Sequence, residues 1–75
     1  MTLPILATSK YCGPCQILKP ELESVSGFEY EMKDIVEDSK YFLEHGIVTV
    51  PCLVTTTGEK IYGANNILDY ARGDD

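Results

Sequence analysis

Seventy-five residues, 44% of them hydrophobic and 24% charged, allow one domain with one small core, because a chain of this size buries only about 60% of the surface it exposes when unfolded. Twelve acidic residues against six basic ones give a net charge of -6, which repels phosphate backbones and excludes a nucleic-acid partner from the expectations. No run approaches the roughly 20 apolar residues of a membrane span, and no basic segment with an apolar stretch behind it opens the chain as a leader would. A cytoplasmic protein without membrane association is expected.

Leu3 to Thr8 is a short apolar segment that predicts a strand buried on both faces, with Pro4 tolerated near its start. Ser9 to Tyr11 form a loop. From Pro14, Ile17, Leu18, Leu22 and Val25 recur at helical spacing until Gly27 supplies a stop, and Pro20 interrupts the pattern and should kink it. Phe28 to Ile35 alternates Phe28, Tyr30 and Met32 with Glu29, Glu31 and Lys33, which is strand periodicity.

A second helix is expected over Ser39 to His45, capped by Asp38 or Ser39, given apolar mass by Tyr41, Phe42 and Leu43, and ended by Gly46. Ile47 to Val50 leads into Pro51. Cys52 to Thr56 and Lys60 to Tyr62 read as a hairpin turning at Thr57-Gly58-Glu59. Asn65 or Asn66 should cap a last helix from Ile67 to about Arg72, and Gly73-Asp74-Asp75 should fray. The order is β-α-β-α-β-β-α in a single domain spanning 1–75, an α/β chain with helices on both faces of a mixed sheet.

Chemistry concentrates in the cysteines. Three is an odd number, which argues against a structural disulfide framework and for catalytic, metal-binding or buried thiols. Cys12-Gly13-Pro14-Cys15 falls where the apolar segment gives way to the helical pattern. There the first sulfur meets unpaired backbone N-H groups at the positive end of the helix dipole, so its thiolate is favoured. The second lies one turn inward, within disulfide reach. Half of a zinc site is the other reading of such a pair, but no second Cys/His pair accompanies it. Cys52 admits three readings: an inert buried thiol, an auxiliary redox thiol, or a third ligand for a soft metal or iron-sulfur group.

Four features together resemble the thioredoxin/glutaredoxin superfamily: Tyr11-Cys12-Gly13-Pro14-Cys15, with Tyr in place of the usual Trp; Pro20 five residues after Cys15; Thr49-Val50-Pro51; and the spacing between them in so short a chain. The active-site dipeptide is of thioredoxin type, whereas the short body resembles glutaredoxins and the small redoxins that serve ribonucleotide reductase. The resemblance implies a minimal thioredoxin fold with a four-stranded mixed sheet, and a cis Pro51.

It also implies a dithiol oxidoreductase reducing protein disulfides. Cys12 would be the nucleophile, its pKa lowered to roughly 3.5–7.5, and Cys15 the resolving thiol. Tyr11, Gly13, Pro14, Val50 and Pro51 would meet the substrate. Electrons would come from NADPH through a thioredoxin reductase or from glutathione, with no bound cofactor, and ribonucleotide reductase is the implied partner of a monomer. The buried acid that thioredoxins carry six residues before the first active-site cysteine falls at Leu6, and their second-strand lysine at Lys33. Lys10 is placed to meet the thiolate or a glutathione carboxylate. The Gly-Gly turn and Asp with which glutaredoxins hold glutathione are replaced by Tyr62-Gly63-Ala64-Asn65-Asn66. A protein-binding module on the same fold and a three-cysteine metal carrier are the competing functions.

Overall fold

Strand β1 (Ile5–Thr8) pairs on both sides, parallel to β2 (Glu31–Asp34) and antiparallel to β3 (Cys52–Val54), and β4 (Lys60–Tyr62) extends the sheet in the order β2-β1-β3-β4. The computed structural model describes residues 3–73, and among these the four strands form one mixed sheet. Helices α1 (Gly13–Glu23), α2 (Ser39–His45) and α3 (Ala64–Arg72) complete the expected order.

Two cores follow from strand alternation. Leu6 stands level with Leu53 and Ile61, and this face packs against Leu18 and Leu22 of α1 and Ile67 of α3. Ala7 and Cys52, one residue along, turn to the other face and pack with Phe42 of α2, Ile47 and Val54. Helices therefore cover both faces, with α1 and α3 together on one and α2 alone on the other.

Several boundaries differ from the expected ones. Helix α1 ends at Glu23 and not near Gly27, because the Ser24 hydroxyl donates to the Glu21 carbonyl at 2.7 Å while the Ser24 N-H bonds Pro20 and Glu21. Val25 lies beyond the helix, and Gly27, at φ 81°, turns the chain instead. Its buried stripe is Cys15, Leu18 and Leu22, which leaves Ile17, counted with the apolar face, 68% exposed. Pro20 sits inside α1, where it offers the Gln16 carbonyl no N-H.

The second strand is only four residues long. Phe28 and Tyr30 pack against the α1/α3 core from the segment before it, while Met32 is 52% exposed on an edge strand. Strand β3 stops at Val54, because Thr55 begins the turn: its N-H donates to the Glu59 carbonyl at 2.8 Å and its hydroxyl accepts the Glu59 N-H at 3.1 Å.

Asp38 stands at the N-cap of α2 but its carboxylate accepts the Asp34 N-H instead of capping the helix, and of the three expected apolar residues Phe42 alone is fully buried. Helix α3 starts three residues early at Ala64, with Gly63 as N-cap at φ 92°, and the Asn66 amide donates back to the Tyr62 carbonyl at 2.9 Å. Gly73 caps α3 in the left-handed conformation, and Asp74 and Asp75 lie outside the described residues.

Neighbouring residues on α1 separate packing from propensity. Leu18→Ala is expected to lower stability by about 2–5 kcal/mol and Ile17→Ala by no more than about 0.5 kcal/mol, measured by urea denaturation; comparable losses at both positions would contradict this helix orientation.

Candidate active site

Helix α1 begins at Gly13, so Cys12 is its N-cap and Cys15 its first inward-facing side chain. Cys15 is fully buried, whereas Cys12 is half-buried and keeps a face to solvent. The Cys15 N-H donates to the Cys12 sulfur at 3.3 Å, the capping bond that satisfies one of the helix's free donors. From across the fold, the Val50 carbonyl accepts the Cys12 S-H at 3.8 Å. The Val50-Pro51 peptide bond is cis, and Pro51 is buried with its carbonyl accepting the Gly63 N-H at 3.3 Å, which joins the site to the start of α3.

Thus Cys12, Cys15, Val50 and Pro51 meet at one end of the sheet. Tyr11 borders them and is 91% exposed, so its ring lies on the surface and not against α1. Gly13 and Pro14 are both exposed on the first turn. Open space lies where a Gly13 side chain would stand, so packing within the chain does not demand glycine there. Val48, just before the Val50 contact, is also exposed.

Desolvation raises the Cys12 thiol above its ordinary value, and the side-chain hydrogen bond and like charge of Cys15 act in the same direction; the Cys15 backbone N-H pulls the other way. This corrects the expected depression. The helix-start argument counts a favourable dipole and omits two things the fold supplies: partial burial, and a carbonyl acceptor that favours the protonated thiol.

No lysine compensates. Lys10 reaches Glu37 at 3.9 Å, and Lys33 stands in register with Ala7 on the α2 face with its ammonium 5.7 Å from the Tyr41 ring. Leu6 is fully buried among leucines, so no carboxylate occupies the position of the thioredoxin acid.

Cys52 does not join the pair. It is buried with Ala7, Phe42 and Val54 in the α2-facing core, and the described residues contain no group of three His, Cys, Asp or Glu side chains able to hold a metal. Burial raises its pKa, partly offset by the Tyr62 hydroxyl and the charge of Lys60, so it is held as a neutral thiol. His45 stacks on Tyr41 with ring centroids 4.0 Å apart, away from the cysteine pair.

One site-end residue went unmarked in the sequence. Thr8 is 4% exposed and its hydroxyl has no hydrogen-bond partner. A polar residue in the same strand parity as buried Leu6 is the signal that could have found it.

Solved structures of this shape include the thioredoxin of Malassezia sympodialis, 31% identical with a TM-score of 0.71, covering 95% of this chain and 71% of that one. A mutant thioredoxin from Halobacterium salinarum is 22% identical with a TM-score of 0.74, covering 95% and 72%. The thioredoxin-like protein BC3987 is 23% identical with a TM-score of 0.70, covering 91% and 97%. No protein-family model and no curated protein matches the sequence. No helix among the described residues is long and apolar enough to cross a membrane.

The raised Cys12 pKa has a kinetic signature. Alkylation of the reduced protein by iodoacetamide should accelerate by about tenfold per pH unit from about pH 6 to about pH 8, because the thiolate fraction keeps growing below the pKa. A plateau reached by neutral pH would restore the depressed value.

Proposed function

The chain belongs to the thioredoxin superfamily, and from that premise we propose that it is a dithiol oxidoreductase reducing disulfides in partner proteins. The observation that carries this reading is the asymmetry of the pair: Cys12 half-exposed at the helix N-cap beside Val50, and Cys15 buried one turn behind it.

The exposed sulfur attacks and the buried one waits. The Cys12 thiolate attacks one sulfur of the partner disulfide, forming a Cys12-partner bond while the partner's own S-S bond breaks and its second sulfur leaves as thiolate. Cys15 then loses its proton to solvent and attacks the Cys12 sulfur. The Cys12-Cys15 bond forms, the mixed disulfide breaks, and the partner departs with two electrons gained.

An extended partner segment pairing with the backbone at Val50 would compete for the carbonyl that now holds the Cys12 S-H, so docking itself would favour ionisation. A raised thiol pKa leaves less thiolate at neutral pH, a loss that the greater intrinsic nucleophilicity of a more basic thiolate offsets in part.

Two electrons must return to the pair. NADPH through a thioredoxin reductase is the preferred source, since the first turn of α3 carries no acidic residue to meet the glutathione amine. Ribonucleotide reductase, whose disulfide must be reduced in each turnover, is the proposed partner class.

Turnover of a disulfide substrate should be faster with NADPH and thioredoxin reductase than with glutathione and glutathione reductase; inactivity in both systems would overturn the enzyme reading. Cys15→Ser should trap partners as mixed disulfides and Cys12→Ser should trap none, and the opposite pattern would reverse the two roles.

A further inference from the structure

We propose that the Thr8 hydroxyl is a positioning donor for the resolving thiol: it hydrogen-bonds the Cys15 sulfur when that sulfur ionises, and so speeds partner release. The inference rests on the dithiol exchange proposed above.

Two buried polar side chains occur among the described core residues, Thr8 and Thr55. Thr55 is satisfied, its hydroxyl bonding Thr57 at 2.9 Å and accepting the Glu59 N-H. Thr8 is orphaned. A buried hydroxyl without a partner is destabilising, and its retention calls for a state in which the partner exists.

Topology identifies that partner. Strand alternation places Thr8 on the same face as Leu6, the face that packs against Leu18 and Leu22. Helix α1 links two parallel strands and therefore runs antiparallel to β1. Moving two residues along β1 from Leu6 to Thr8, roughly 6.6 Å, corresponds to moving back along α1 from Leu18 to Cys15, roughly 4.5 Å. Carried one pair beyond Ala7–Cys52, the β1–β3 register also brings Thr8 level with Pro51. The hydroxyl and the buried sulfur therefore share the active-site end of one core face.

Among the described residues no other buried polar side chain is found in that core. The sheet contributes Leu6 and Leu53, α3 contributes Ile67, and no carboxylate, lysine or histidine is buried among the described residues. Cys12 is the titratable neighbour, and its sulfur already accepts the Cys15 N-H. In the resolving step the Cys15 proton passes to solvent, the thiolate attacks Cys12, and Thr8 keeps its own proton while donating it to the transient charge. A hydrogen bond to the charged form stabilises it relative to the protonated thiol.

The test compares Thr8→Val, Thr8→Ala and Thr8→Ser in the full chain. In a Cys12→Ser background, ultraviolet absorbance of the thiolate should place the Cys15 midpoint about one pH unit higher in Thr8→Val, a tenfold loss of thiolate at fixed pH, with Thr8→Ser restoring it. With Cys12 intact, single-turnover release of a protein disulfide substrate should slow by about tenfold while mixed-disulfide formation keeps its rate. Thermal stability of Thr8→Val should equal or exceed that of the unmodified chain, which separates loss of the donor from loss of packing. An unchanged Cys15 midpoint in Thr8→Val, or in Thr8→Ala should the valine variant fail to fold, overturns the proposal. So does failure of Thr8→Ser to restore it. Inactivity of the unmodified chain toward every disulfide would instead remove the oxidoreductase reading, while the titration still decides the Thr8 contact.

Discussion

Strand β1 has a neighbour on each side and a helical layer on each face, so its four residues must satisfy two different cores with almost no contact to water. Leu6 closes against α1 and α3, and Ala7, small enough to let Phe42 approach, closes against α2. This double burial fixes α1 in rotation and in height. Leu18 and Leu22 must face Leu6, and Cys15 then turns inward while Cys12, at the cap, keeps a face to solvent. The difference in exposure between the two thiols is thus a packing result.

The electrostatics of the pair show how little the chain supplies to it. Both cations that the sequence offers nearby are engaged elsewhere, Lys10 with Glu37 and Lys33 over Tyr41. What remains is one backbone N-H at 3.3 Å, set against desolvation and a carbonyl contact that favours the protonated thiol. In the resting protein the balance therefore lies with the protonated thiol.

The element order and the placing of the cysteine pair at the start of a helix were legible because each rests on local pattern: apolar runs, turn residues and a motif at a strand-to-helix junction. The side on which Cys52 lies was not, since Cys52, Leu53 and Val54 are all buried and a strand covered on both faces has no alternation to read. Helix ends moved for equally local reasons. The Ser24 hydroxyl closes α1 before Gly27 is reached, and the positive φ of Gly63 opens α3 before the asparagines. The sign of the Cys12 shift follows first from burial, which the folded chain and not the motif supplies.

The absence of a buried acid at Leu6 has a size argument behind it. A carboxylate there would lie among Leu18, Leu22, Leu53 and Ile67, and its desolvation would fall on a domain whose whole stability is of the order of 5–15 kcal/mol. A hydroxyl costs less to bury than a charge, and because it is neutral it imposes no ionisation of its own on the core. In a chain with so small an interior, the polar group carried on this face of the strand is a neutral hydroxyl at Thr8, and the Leu6 position is released to packing.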